Sequence, residues 1–186
     1  MVRSGPGPGE RVSGDFVLTM EELREVARYA VESAVEVLPL FERDRPEDRR
    51  PRSAVEAAWV FVDGAARTRL QRVAAVDAHR AAREAGAESA RHAARAAGDA
   101  ASAAYLHPLA EATQVGHILR SVACAARALE LAAEDDPGVG ERHLAQACER
   151  ASPRLVAVLK RYPPVVTGPS RVARLMASLD GALRSA

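Results

Sequence analysis

The sequence predicts an all-α fold, a single globular bundle of seven or eight helices. Apolar residues recur at three- and four-residue spacing along most of the 186-residue chain, as they do on the buried face of an amphipathic helix. Capping residues, prolines and glycines separate these segments at intervals typical of helix ends. No stretch shows the sustained alternation of apolar and polar residues that indicates a half-buried strand.

The first 14 residues differ from the rest of the chain. Segment 1–14 is rich in Gly, Pro and Ser and has no apolar period, a composition typical of disorder. We therefore expect a disordered leader over 1–14 and a single helical domain over 15–186. The leader lacks the apolar core of a signal peptide, and no later run reaches membrane-spanning length. A cytoplasmic protein without a membrane partner is expected.

Capping patterns predict where the first helices begin. Thr19 and Glu22 form a capping box that opens a helix over 20–42. Ser53 and Glu56 repeat the pattern after a charged loop with two prolines, and they predict the start of the second helix. Further helices are predicted over 65–85, 87–105, 109–133, 139–150, 153–161 and 170–183.

Three of these helices are expected to form the core. The helix over 65–85 is expected to direct Leu70 and Val73 inward together with several alanines. The helix over 87–105 has an apolar face made almost wholly of alanine, and small side chains let helix axes approach closely. The segment 109–133 is the most apolar and is the expected central helix.

Charge and motif content exclude several classes of function. The chain has 26 basic and 25 acidic residues, a formal net charge of +1, so the overall balance gives no reason to expect nucleic acid as a partner. The phosphate-loop, CxxC, HExxH, GxSxG and dinucleotide-binding motifs are all absent from the sequence. Cys124 and Cys148 lie in apolar helical patterns, where cysteine behaves as a small hydrophobe. We therefore expect no cofactor and assign no catalytic residue.

The candidate binding residues concentrate around Pro108. This segment holds two histidines, a Tyr-Leu-His-Pro break and a Thr-Gln pair at the expected start of the central helix. A helix N-terminus offers free N–H groups and the positive end of the helix dipole. The predicted binding residues are Tyr105, His107, Glu111, Thr113, Gln114 and His117. The alternative is that Thr113 and Gln114 only satisfy neighbouring backbone groups.

A metal site at these histidines is not predicted. His107 and His117 are ten residues apart, roughly 15 Å along an ideal helix. That separation argues against one metal ion bound by both imidazoles and the carboxylate of Glu111.

A series of arginines on the helix over 65–85 allows two interpretations. The series comprises Arg67, Arg69, Arg72, Arg80 and Arg83. It forms either a solvated face with intermittent ion pairs, each worth little, or a surface that binds a partner. A pair between Arg80 and Asp77, three residues apart, would support the helix.

The alanine-rich helix, the proline-containing turn and the second alanine-rich helix follow a recognisable pattern over 93–131. The residues that carry it are Ala96, Ala97, Gly98, Ala100, Ala104, His107, Pro108 and 125–128. This arrangement resembles the core of a bacterial family of putative immunity proteins, in which an "AAGxAxAxAH" helix precedes the turn. Residues 20–58 are similar to the family's opening helices. In this chain the histidine is displaced behind Tyr105 and Leu106, and Cys124 replaces an expected aromatic residue.

The resemblance implies a protein that binds and neutralises a toxin by protein–protein contact. Relatives also carry an exonuclease-like label, which the missing phosphate loop and CxxC motif contradict. The prediction is a non-enzymatic, immunity-like protein that sequesters a toxin or other partner. The alternative is a small-molecule-binding or self-resistance protein with a pocket between the alanine-rich helix and the central helix. A homodimer through Trp59 or Phe61 stays open.

Overall fold

Eight α-helices are present in residues 11–186, the part of the chain that the computed structural model describes. They are α1 Met20–Asp44, α2 Arg50–Val62, α3 Arg69–Glu84, α4 Glu88–Ser102, α5 Gly116–Ala132, α6 Pro137–Arg150, α7 Pro153–Leu159 and α8 Arg171–Ser185. Two short 3-10 helices, Ala103–Tyr105 and Ala112–Val115, lie between α4 and α5. The predicted all-α bundle of seven or eight helices is confirmed. Within the described residues, no helix combines the length and apolar character that crossing a bilayer requires.

A short antiparallel hairpin precedes α1. Strand β1 (Arg11–Ser13) pairs with strand β2 (Val17–Thr19). The backbone N–H of Asp15, in the hairpin turn, donates to the carbonyl of Pro108 at 2.8 Å, and its carboxylate accepts from the N–H of Ala110 at 2.7 Å. The first ten residues of the predicted leader lie outside the described residues. The last part of that leader is a paired strand, because contacts with a distant turn hold the hairpin.

One of the two predicted capping boxes is formed. The N–H of Glu22 donates to Thr19 Oγ1 at 3.2 Å, and the N–H of Thr19 donates to Glu22 Oε2 at 2.8 Å. The predicted start of the second helix at Ser53 is wrong, because α2 begins at Arg50 with Pro51 in its first turn. Proline suits the first turn of a helix, where its missing N–H costs no hydrogen bond.

Helix α4 packs against α1, α2, α3 and α5 and is surrounded by them. Its buried residues are Ala90, Ala93, Ala94, Ala96, Ala97, Gly98, Asp99, Ala100 and Ala101. Methyl side chains allow the neighbouring helix axes to come close. The prediction that this helix packs almost wholly through alanine is confirmed, with Asp99 as the charged exception.

Helix α3 faces the core differently from the prediction. Its buried residues are Gln71, Ala74, Ala75, Ala78, Ala81 and Ala82. Leu70 and Val73, which were expected to point inward, are 51% and 45% exposed. Close packing against the alanines of α4 favours small side chains on the inner face of α3, so Leu70 and Val73 lie outside. Gln71 is the exception, and its amide donates to the carbonyl of Ala57 at 3.2 Å.

The central helix α5 begins later than predicted. Residues 106–111 are in no helix, and α5 starts at Gly116 after a turn of 3-10 helix. The carbonyl of Pro108 and the N–H of Ala110 form hydrogen bonds with Asp15 of the hairpin turn and not with helical backbone groups. The body of the helix is buried as expected, with Ile118, Leu119 and Val122 fully enclosed.

A buried ion-pair cluster fixes the start of α8 against α5. Glu130 is fully buried, and its carboxylate accepts from Arg171 Nε at 3.1 Å and from Arg127 Nη1 at 2.9 Å. Gly140 of α6 lies against this carboxylate, because a Cβ at that position would be 2.2 Å from Glu130 Oε1. The cluster therefore determines where the first turns of α8 lie.

Candidate functional site

A cleft of about 650 Å³ lies among α3, α4, α5 and α8. The side chains that line it are His79 of α3, Glu88, His92, Arg95 and Asp99 of α4, Arg120, Cys124 and Arg127 of α5, and residues 170–173 and 176 at the start of α8. We call it the Asp99 cleft. Titratable and charged side chains dominate its walls, in contrast to the alanine core beside it.

Helical periodicity brings these polar side chains together. His92, Arg95 and Asp99 are separated by three and four residues and therefore share one face of α4. Arg120 and Arg127 lie seven residues apart, two helical turns, on one face of α5. Each helix thus presents a polar stripe to the cleft and an apolar surface to the core.

Asp99 is the central side chain of the cleft. It is only 4% exposed, and the surrounding donors are distant. Its Oδ1 lies 3.6 Å from His79 Nε2 and 3.8 Å from Arg120 Nη1, and its Oδ2 lies 3.8 Å from Cys124 Sγ. Burial raises the pKa of Asp99 to about 7, although Arg120, the Cys124 thiol and Arg95 act in the opposite direction. A buried carboxyl group whose hydrogen-bond donor is only a thiol destabilises the folded state.

Gly98 makes room for the imidazole of His79 beside Asp99. A Cβ on Gly98 would lie 2.9 Å from two atoms of the His79 ring. Glycine inside a helix costs roughly 0.5–1 kcal/mol relative to alanine. Burial, together with nearby arginines, lowers the pKa of His79. The ring is therefore neutral at pH 7 and packs directly on the backbone of α4.

Cys124 is not an activated nucleophile in this setting. It is buried, and burial and the neighbouring Asp99 raise its pKa well above the ordinary value. A reactive cysteine needs a depressed pKa and an adjacent base. Both cysteines, Cys124 and Cys148, are free thiols. Within residues 11–186, no three side chains of the metal-binding types are grouped to hold a metal ion.

The arginines of the cleft fall into two pairs. Arg127 and Arg171 bind the buried carboxylate of Glu130. Arg120 approaches an acidic side chain only at the 3.8 Å contact with Asp99, and Arg95 makes no ion pair with any residue that the structure describes. Arg95 and Arg120 therefore leave the cleft with uncompensated positive charge.

A second pocket of about 330 Å³ adjoins the first, and His79 lines both. We call it the histidine pocket, because His79, His107 and His117 line it together. Of the predicted binding residues, Tyr105, His107 and His117 border this pocket, whereas Glu111, Thr113 and Gln114 do not.

Local hydrogen bonds occupy several of the predicted binding residues. The hydroxyl of Tyr105 donates to the carbonyl of Thr68 at 2.5 Å. Gln114 Oε1 accepts from the N–H of His107 at 3.1 Å, and Thr113 Oγ1 donates to Glu111 Oε2 at 3.2 Å. Thr113 and Gln114 lie in the 3-10 helix and not in the first turn of α5.

An exposed apolar stripe runs along α3 next to the histidine pocket. Leu70, Val73 and Val76 recur at three-residue spacing and are each about half exposed. Arg72 borders the stripe and lies 4.7 Å above the ring of Tyr105. Arg69 is also exposed on this helix. We call Arg69, Leu70, Arg72, Val73 and Val76 the α3 face.

The alternative interpretation placed a pocket between α4 and α5, but the side chains that line the Asp99 cleft were not among the predicted binding residues, although a signal was present. His92, Arg95 and Asp99 interrupt an alanine-rich helix at helical spacing, and a charged residue on the small-residue side of a buried helix is unusual. Arg120 of α5 completes the group only through tertiary contact.

A comparison with protein families identifies the chain. The Imm-5 like putative immunity protein family matches residues 17–153. The chain belongs to this family. The match confirms the resemblance inferred from the alanine-rich helices, and it covers α1 to α6. The wall that α8 adds to the Asp99 cleft lies beyond the matched residues of the Imm-5 like family. No curated protein and no solved structure matches the chain significantly.

Proposed function

We propose that this protein is an immunity protein that sequesters a protein toxin through the α3 face and the adjoining histidine pocket. Membership of the Imm-5 like family supports the immunity role. The observation that carries the choice of surface is the exposed stripe of Leu70, Val73 and Val76. Single exposed apolar residues are ordinary, but a continuous group is typical of interaction sites.

The packing of α3 supports this choice. The helix buries alanines and exposes its larger apolar residues, which is the reverse of the pattern expected from hydrophobicity alone. Burying Leu70, Val73 and Val76 against a partner would stabilise the complex. Tyr105 and Arg72 lie at the edge of the stripe, and aromatic and arginine side chains are enriched at the energetic centres of interfaces.

The charges of α3 define the partner's chemistry. Among the residues that the structure describes, Arg69, Arg72 and Arg83 form no ion pair, whereas Arg80 pairs with Asp77 at 3.0 Å as predicted. Unpaired arginines around an apolar stripe complement an acidic surface with an apolar centre, and they accelerate association with it. A second copy of this chain would bring arginines against arginines, so the proposed occupant is an acidic toxin.

The predicted homodimer receives no support from Phe61, because that side chain is fully buried, and Trp59 is partly buried beneath Arg28. The dimer therefore stays a prediction.

The test is protection of a sensitive strain from candidate protein toxins of the host, with growth and the dissociation constant of the purified pair as readouts. Val73→Asp places a carboxylate in the stripe without disturbing the core. Val35→Asp on α1 is the matched control, since Val35 is a helical valine of similar exposure. We expect Val73→Asp to weaken binding at least tenfold and to abolish protection, while Val35→Asp retains both.

Two results would overturn the proposal. One is unchanged toxin binding by Val73→Asp. The other is a wild-type protein that self-associates through this face, with the variant monomeric and no toxin bound by either protein.

The Asp99 cleft favours the alternative function, a small-molecule-binding or self-resistance protein. Its volume of about 650 Å³ lies within the range of roughly 300–1,000 Å³ that is usual for ligand sites. Its long walls are α4 and α5, the alanine-rich helix and the central helix. The two functions use surfaces that share only His79, and one protein is able to carry both.

A further inference from the structure

We infer that the Asp99 cleft binds a small zwitterionic ligand of the amino-acid class, one that carries an anionic group and a cationic hydrogen-bond donor on the same molecule. The inference specifies the ligand of the alternative function and is independent of toxin binding at the α3 face. It depends on two adjacent subsites of opposite charge and on an apolar wall.

The base of the cleft needs a donor. Asp99 lines the cleft and is almost fully buried, yet among the described residues its nearest side-chain nitrogen donors lie at 3.6 and 3.8 Å, and the Cys124 thiol donates only a weak hydrogen bond to Oδ2 at 3.8 Å. Hydrogen bonds from N–H groups to carboxylates are ordinarily about 2.7–2.9 Å long. An ammonium or guanidinium group of a ligand would supply the missing donor and the opposite charge.

The mouth of the cleft needs an anion. Arg95 forms no ion pair among the described residues, and Arg120 lies near a carboxylate only through its long contact with Asp99. The Nδ1 atom of His92 is buried without a hydrogen-bond partner, and burial lowers the pKa of this residue to about 4. A carboxylate or phosphate group between the two guanidinium groups would neutralise their charge.

The two subsites adjoin each other, because Arg120 Nη1 is 3.8 Å from Asp99 Oδ1. A simple anion bound at Arg120 would be repelled by the ionised Asp99. A simple cation bound at Asp99 would be repelled by Arg95 and Arg120. A ligand with both charges a few bonds apart satisfies each subsite and avoids both repulsions.

The part of the cleft wall formed by α8 is expected to contact the ligand's side chain. Val172, Ala173 and Met176 of α8 line the cleft opposite the charged stripes. Methionine adapts its shape to irregular apolar partners. Arg171, tied to the buried Glu130, holds this wall in place. The ligand is therefore expected to have an apolar or aromatic side chain.

The test uses the full chain and a panel of the free L-amino acids at millimolar concentration, first by thermal shift and then by calorimetry. For each amino acid that binds, the corresponding amine and carboxylic acid are measured, together with inorganic phosphate. We expect at least one apolar or aromatic amino acid to bind at least tenfold more tightly than either single-charge analogue.

Two variants remove one subsite each. Asp99→Asn keeps the size of the side chain and removes its charge, and Arg120→Gln removes the charge of the other subsite. Asp77→Asn and Arg154→Gln change exposed residues outside the cleft lining and serve as matched controls. We expect each cleft variant to lose at least tenfold in affinity while its circular dichroism spectrum stays native, and each control to bind as wild type.

Calorimetry in buffers of different ionisation enthalpy provides a second readout. The groups that face Asp99 are His79 from α3, Arg95 from α4, and Arg120 and Cys124 from α5. A cationic donor at Asp99 favours its ionised form, so binding near pH 7 is expected to release a proton. Proton uptake on binding would contradict the inference.

Three other results would overturn it. They are the absence of binding by any amino acid, binding of phosphate or a monocarboxylate as tight as that of the amino acid, and unchanged affinity in Asp99→Asn. Val73→Asp is expected to bind the amino acid normally, so failure here and failure of toxin binding are separately visible.

Discussion

Replacement of Asp99 by asparagine is expected to stabilise the unliganded protein, and to do so only above mildly acidic pH. Asparagine keeps the shape of the side chain but carries no charge. The pKa of Asp99 is raised from 3.8 to about 7 by burial. Each unit of pKa shift corresponds to about 1.4 kcal/mol, so ionised Asp99 destabilises the native state by up to about 4 kcal/mol at pH 8.

The sign follows from proton linkage. Between about pH 4 and pH 7 the native state keeps a proton on Asp99 that the unfolded state has released. The free energy of unfolding of the wild type therefore falls as the pH rises through this window, and it levels off above pH 7. Asp99→Asn lacks this dependence. The variant should match the wild type near pH 4 and exceed its stability increasingly towards pH 8.

Histidines act in the opposite direction in the acidic part of the window. Burial lowers the pKa values of His79, His92, His117 and His143, so their contribution to stability is lost as the pH falls below about 6.5. His92, His117 and His143 are common to both proteins and cancel in the difference, whereas His79, which lies 3.6 Å from Asp99, cancels only in part.

Urea unfolding of both proteins, followed by circular dichroism at several pH values, measures that difference. Asp77→Asn, which alters an exposed ion pair, is the control and should change stability by less than about 1 kcal/mol at every pH. A variant no more stable than wild type at pH 8, or a difference that does not change with pH, would refute the reasoning.

Two further variants test how the cleft walls are held. Gly98→Ala forces the ring of His79 out of its buried position against α4. Because burial is the main cause of the lowered His79 pKa, we expect no gain in stability and a rise in that pKa, measured by NMR titration. Glu130→Gln leaves the guanidinium groups of Arg127 and Arg171 without their buried carboxylate. Breaking a fully buried pair costs about 3–5 kcal/mol of stability, but Arg171 is partly exposed, so we expect urea unfolding to show a loss of about 2–3 kcal/mol. Amide exchange in α8 should accelerate.

Each of these variants has a matched control. Gly181→Ala adds a methyl group to a helical glycine with open space around it and should gain up to about 1 kcal/mol. Glu88→Gln alters an exposed pair with Arg91 and should have little effect. Equal stabilisation by Gly98→Ala and Gly181→Ala, or unchanged α8 exchange in Glu130→Gln, would contradict the proposed contacts.

Local signals in the sequence predicted most helix ends. The Thr19 capping box lies at the start of α1, as predicted, because a cap depends only on residues within one turn. The start of α5 was wrong for the opposite reason. The backbone around Pro108 is held by Asp15, which is far away in the chain, and no local pattern shows that contact.

The buried face of α3 also could not be predicted from the sequence of that helix alone. Hydrophobicity favours burial of Leu70 and Val73, but the neighbouring α4 packs mainly through the methyl groups of alanine. The spacing between the two helices therefore selects the alanines of α3 for the interface. Hydrophobic periodicity within one helix does not report the spacing to its neighbour.

The two pockets differ in how far the sequence indicates their residues. Tyr105, His107 and His117 were proposed because they cluster along the chain, and they line the histidine pocket; their role in binding stays a prediction. The Asp99 cleft draws on four helices, from His79 to Met176. Its residues look like ordinary surface charges until the bundle brings them together.

The alanine packing of α4 has a consequence for how relatives of this protein diverge. The same helix that carries Asp99 and Arg95 also sets, through its methyl groups, the distance between α3 and α5. A larger side chain at a position such as Ala93 or Ala97 would spread the two walls without touching any bound molecule. Selectivity of the cleft is therefore open to change by core substitutions that a comparison of lining residues would overlook.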